Sequence, residues 1–121
     1  MEEEEEESIR SKLSKLLPGD IFHAHCPNGA SLICLVEQMT KDTIEARRIT
    51  TQGHESFDLG TGRTISDGPP CTIDSIAPLP IETLHVLLGL ERKMRLRFEK
   101  LSREEKDALV FVASFYPAHP L

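Results

Sequence analysis

Two apolar runs, Ile21 to Cys26 and Ser31 to Met39, flank the four residues Pro27-Asn28-Gly29-Ala30, and no other stretch constrains the fold as tightly. Asn-Gly accepts the positive φ angles of a type I′ turn, so the two runs are expected to fold back on each other as a β-hairpin. With Asn28 and Gly29 as a two-residue loop, Cys26 pairs with Ser31, Ala24 with Ile33, His23 with Cys34 and Phe22 with Leu35. That register gathers Phe22, Ala24, Cys26, Ile33 and Leu35 on one face. The other face receives Ile21, His23, His25, Leu32, Cys34 and Val36, so the second strand is apolar on both sides and should be covered on both.

The chain continues in short extended pieces. Lys41-Asp42 reads as a turn, Thr43 to Thr51 as a third strand and His54 to Asp58 as a fourth, after which Gly60-Thr61-Gly62 turns the chain back toward Arg63, Thr64 and Ile65. Ser66 to Pro70 is a loop, and the β-branched residues of Cys71 to Ile76 make a fifth strand. About five short antiparallel strands joined by tight turns are expected to curl into a small SH3-like barrel over residues 20–77, which removes most free edges. Helices flank it. Ile9, Leu13, Leu16 and Leu17 sit at helical spacing over residues 8–17, and Pro18-Gly19 ends that element. The C-terminal region, residues 80–116, is helical. Thr83, Leu87, Leu90, Met94, Phe98 and Leu101 form the stripe of a helix from about Ile81 to Leu101, and Ser102 with Glu105 spells a capping box that starts a second helix running to Pro117. The expectation is α+β with a mainly β core: one domain over residues 8–121.

The order Gly19-Asp20, strand, Asn28-Gly29 turn, strand, Lys41-Asp42 turn, strand, over about residues 19–50, resembles the opening of Tudor-like and related SH3-like barrels. The resemblance implies a fold and no more. Tudor modules that read methylated side chains use an aromatic cage, whereas Phe22 and Phe57 are the only aromatics in this barrel, so that activity does not carry over.

The net charge of -6 is uneven. Glu2 to Glu7 supply six of twenty acids, and without them the remaining acids balance the fourteen bases. A block of like charges cannot bury surface, so residues 1–7 are expected to form a disordered acidic arm. The apolar runs Leu84 to Leu90 and Ala108 to Tyr116 are far shorter than the roughly 20 residues a bilayer demands, so no membrane association is expected. Three cysteines without a C-x-x-C pair or a leader segment lead to an expectation of reduced thiols, no disulfide framework and a cytoplasmic location.

His23 and His25 share one side of their strand, and the register above sets Cys34 opposite His23, so the three can offer a zinc-type ligand set. No spacing directs a fourth ligand there, and the reading that leads is two histidines beside an inert packed cysteine, with no cofactor. The zinc-deaminase signature fails: His25 stands where it needs Glu, and Asp74 where it needs the second cysteine. No G-x-S-x-G elbow occurs, and Gly60-Thr61-Gly62-Arg63 lacks the Lys-Ser/Thr ending of a phosphate loop.

The densest charge is basic: Arg92, Lys93, Arg95 and Arg97 lie along the first C-terminal helix, and Arg47, Arg48 and Arg63 of the barrel extend the set. These seven are the candidate binding residues. The leading expectation is a small non-enzymatic binding or regulatory module acting through contact with a protein partner, or with a second copy through its apolar C-terminal helices. The alternative is a nucleic-acid-associated regulator that uses the basic helix and the barrel arginines. A third reading is a metal-dependent enzyme at His23, His25 and Cys34.

Overall fold

In the computed structural model, residues 8–96 and 100–121 are described. The arm at residues 1–7 and Arg97 of the basic set lie outside them. The chain is α+β: helix α1 (Ile9–Leu13), strands β1 (Ile21–His25), β2 (Ser31–Met39), β3 (Thr43–Arg48), β4 (His54–Asp58) and β5 (Thr72–Ser75), then helices α2 (Ile81–Arg95) and α3 (Arg103–Phe115), ending in a 3₁₀ turn at Tyr116–Ala118. No helix among the described residues is long and apolar enough to cross a membrane.

The five strands form one antiparallel sheet, ordered β4-β3-β2-β1-β5 and curled into a half-barrel. Residues 62–64 lie against both of its edges: Thr64 bridges to Phe57 of β4, and Arg63 to Thr72 of β5. Hydrogen bonds from Thr64 N–H to the Cys71 carbonyl and from Ile73 N–H to the Gly62 carbonyl hold this segment on β5. Gly62 has φ +75, a left-handed conformation that side-chain-bearing residues rarely adopt, so a glycine lets the chain turn back here toward β5.

The hairpin forms, but its register differs from expectation. Cys26 N–H bonds to the Ala30 carbonyl and Gly29 N–H to the Cys26 carbonyl, which makes Pro27-Asn28-Gly29 a three-residue loop. Proline sets the φ of the first turn position, and Gly29, at φ +89, takes the left-handed bulge position. One residue more in the loop shifts every pair: Phe22 faces Cys34, His23 faces Ile33, and Ala24 faces Leu32. Because side chains alternate with period two, the slip exchanges the two faces of β2 relative to β1.

Both faces of β2 are indeed covered. Inside the curl, Phe22, Ala24, Cys34, Val36, Ile44, Ala46 and Phe57 pack with Leu13 and Leu16, which α1 and the turn after it lay over the open end. Phe22 and Phe57 meet edge to face, with ring centres 5.2 Å apart. Outside, Ile21, Ile33 and Leu35 meet Leu87 and Leu90 of α2, Ala108 and Val112 of α3, and Tyr116. α3 starts at the expected capping box, the Ser102 hydroxyl accepting from Glu105 N–H and the Glu105 carboxylate from Ser102 N–H. α1 and α2 are shorter than expected. α1 stops at Leu13, where Ser14 Oγ donates to the Arg10 carbonyl, and α2 stops at Arg95, so Leu101 is not helical. A serine that satisfies a backbone carbonyl competes with continuation of a short helix.

Two cysteines also depart from expectation: Cys26 and Cys71 are disulfide-bonded, and Cys34 alone is free. They stand 45 residues apart in sequence, yet occupy the rung next to the His25–Thr72 pair of β1 and β5, so the strand pairing itself brings them together. The bridge withdraws the ground on which a reducing compartment was expected. A closed loop of this length is worth about 4 kcal/mol in the chain-entropy model. We therefore expect thiol counting by alkylation to find none in the native protein, one after denaturation without reductant and three after reduction, and Cys71→Ser to lower the denaturation free energy by roughly that amount.

Candidate functional site

The shifted register dismantles the His23, His25 and Cys34 trio. Cys34 points into the curl opposite Phe22, while the histidines emerge on the other side of the sheet. Burial, with the nearby Glu55 charge adding to it, pushes the Cys34 thiol up to about 12, so it stays protonated and unreactive. The two histidines meet Asp74 of β5 instead. His23 Nδ1 lies 2.6 Å from one carboxylate oxygen and His25 Nδ1 3.2 Å from the other. His23 is buried and stacks on Tyr116, with ring centres 5.3 Å apart. Among the described residues, no three His, Cys, Asp or Glu side chains are grouped to hold a metal ion.

Six of the seven basic candidates can be placed. Arg47, on the outer side of β3, lies between Glu37 and Glu91, its Nε 3.0 Å from Glu91 Oε2. Arg95 grips the same Glu91 from one helical turn away, Nε to Oε2 at 3.1 Å and Nη2 to Oε1 at 3.3 Å. Arg48 follows Arg47 on the strand, so its side chain leaves from the other face, toward Glu55. Lys93 reaches Glu105 at 2.6 Å, which ties α2 to the first turn of α3. Arg63 and Arg92 are exposed. Glu91 thus gathers Arg47 and Arg95, while Arg48 and Lys93 are held on carboxylates elsewhere.

In the sequence Glu91 is one of the acids interleaved with the basic run, but its spacing from Leu87 and Leu90 puts it on the stripe that α2 buries. A carboxylate at 3% exposure is tolerable only when paired, and two guanidiniums pair it. Glu37 reaches Arg47 because the β-bulge between Val36 and Gln38 aims an extra residue outward. Nearby, Glu45 accepts hydrogen bonds from Ser56 Oγ (2.5 Å), Thr43 Oγ1 (2.6 Å) and His54 Nε2 (2.9 Å). The Ser56 and Thr43 hydroxyls hold its carboxyl below the ordinary value of 4.5, against the opposing effect of burial.

Among the described residues, an arrangement suited to receive another molecule lies where the ends of the elements converge. Lys12 and Lys15 of the α1 region, Leu16, Asp20 and Ile21 form one wall of a cleft of about 690 Å³; Ile76, Ala77, Pro78, Leu79 and Leu84 form the second, and His119, Pro120 and Leu121 the third. That volume is typical of small-ligand sites, as is an apolar lining with few polar groups. The C-terminal wall is fixed by Leu121 N–H on the Asp74 carbonyl (2.9 Å) and by Ser75 Oγ on the His119 carbonyl. The His119 ring stacks on Phe115 and donates from Nδ1 to the Phe115 carbonyl (2.9 Å), so a neutral His119 presents Nε2 as an acceptor. Sequence reading missed this site. Its walls come from segments up to about a hundred residues apart, and none carries a motif.

The chain matches no protein-family model, no curated protein and no solved structure.

Two outcomes test the electrostatics. Glu91→Ala should cost roughly 2 kcal/mol in chemical denaturation, less than the 3–5 of a fully buried pair because Arg95 reaches water and Glu37 still holds Arg47. Because Glu45 is depressed in the folded state, the stability it contributes is present above its unfolded value and disappears as pH falls through its folded one. The denaturation midpoint should therefore fall on acidification below the ordinary carboxylate range, and Glu45→Gln should make that fall shallower.

Proposed function

We propose that the chain is a non-enzymatic binding module, an SH3-like half-barrel clasped by helices, that acts through contact with a protein partner. The observation that carries this reading is the cleft itself: a concave, largely aliphatic surface of about 690 Å³ left open between α1, the irregular segment that follows β5 and the C-terminal segment. Concave apolar pockets of this kind accept the anchor side chains that dominate protein interfaces. The charged groups favour the same reading. Glu91 engages Arg47 and Arg95, Glu55 engages Arg48 and Glu105 engages Lys93, so four of the basic candidates serve contacts within the fold.

Selection of a random peptide library on the immobilised protein tests the proposal. Peptides are expected to enrich on the wild type, and Ala77→Trp, which fills the cleft from its wall, should abolish their binding while leaving the circular dichroism spectrum and melting temperature intact. Peptides that bind Ala77→Trp as well as the wild type would place the contact elsewhere, and a selection that enriches none would overturn the reading.

A further inference from the structure

We infer that the cleft selects partner segments in which aliphatic side chains stand beside a carboxylate, and that Lys12 is the group that pairs with it. This rests on the reading of the cleft as the contact site. The two bases within α1 divide: Arg10 turns to Asp42 at 3.5 Å and to the Lys41 carbonyl, on the β2–β3 turn, whereas Lys12 lines the cleft. Lys12 is half-buried, and among the described residues it takes part in no ion pair. An ammonium that has already lost part of its water gains more from an arriving carboxylate than a fully solvated one does, because the local dielectric is lower.

The lining sets two ammoniums, Lys12 and Lys15, against one side-chain carboxylate, and its walls are aliphatic. Asp20 is the side-chain carboxylate among the lining residues, and its Oδ2 accepts the Leu17 N–H at 2.9 Å, which keeps it on the turn before β1. Leu16, Ile21, Ile76, Leu79 and Leu84 supply aliphatic walls with no aromatic ring among them. Pro78 and Pro120 have no N–H to donate, so at those positions a partner is recognised by its side chains and not by strand addition.

A double-mutant cycle tests this on the full chain. The most enriched peptide from the library selection is synthesised as found, with its carboxylate residue replaced by the matching amide, and each form is titrated by fluorescence anisotropy against wild type, Lys12→Met and Ala77→Trp. Lys12→Met keeps the aliphatic stem of the side chain and removes the charge. The amide peptide should bind wild type roughly tenfold more weakly than the acid, as expected for a charge-assisted hydrogen bond, and that difference should vanish on Lys12→Met. Equal binding of acid and amide by wild type, or a difference that survives Lys12→Met, would overturn the assignment while leaving the cleft as the contact site, provided Ala77→Trp abolishes both. Saturable binding of decanoate with no enrichment of any peptide would overturn both readings and make the occupant a lipid.

Discussion

From Leu32 to Val36, strand β2 turns neither face to solvent, and the rest of the structure answers to that. Leu32, Cys34 and Val36 pack on the first cluster and Ile33 and Leu35 on the second. A strand with apolar side chains on alternate sides must be enclosed by two layers, since each exposed aliphatic forfeits about 1.5–3 kcal/mol of burial. The sheet supplies one layer by curling over itself, and α2 with α3 supplies the other. The three-residue turn at Pro27-Asn28-Gly29 decides which residue of β2 goes to which layer, because moving the register by one exchanges them all.

Charges are then arranged around this apolar frame. Glu91 enters the buried face of α2 and is accepted there by Arg47 from the sheet and Arg95 from its own helix. A hydrocarbon at that position would pack against any apolar neighbour, whereas a carboxylate is satisfied only where the two guanidiniums reach it. Such a pair therefore sets how α2 lies on the sheet more than it adds stability. Lys93 and Glu105 do the same between α2 and α3, and there the carboxylate also caps α3, with the Lys93 ammonium and the Ser102 N–H holding its pKa down. One group thus orients two contacts.

The cleft is a consequence of the same construction. α1 covers the open end of the curl and β5 leaves the sheet through Ile76 to Pro80, while the C-terminal segment returns to hydrogen-bond along β5 at Asp74 and Ser75. Three segments that end near one another without interlocking leave a gap, and Lys12 faces it. The disulfide pins the far end of the short, bulged β1–β5 pair, so the strand that feeds the cleft wall is held at one end by a covalent bond and at the other by the C-terminal segment.

How much of this was legible depends on distance along the chain. Local chemistry sufficed for the strands, the β-hairpin, the capping box at Ser102 and the need to cover β2 twice, because turn residues, period-two alternation and caps act over a few positions. Residues 21 to 39 could be read as a hairpin, but not its register: Asn-Gly suits both a two-residue loop and the bulge of a three-residue one, and the choice between them settled where Cys34 points. The Cys26–Cys71 bridge, the sharing of Asp74 by His23 and His25, the burial of Glu91 and the cleft all join residues more than forty positions apart. Nothing in a local pattern records such meetings. By itself the sequence determined which segments are extended, which are helical and which faces must be hidden; tertiary structure decided which side chains meet, since proximity across a sheet depends on strand order and register, and these are chosen by the packing of the whole chain.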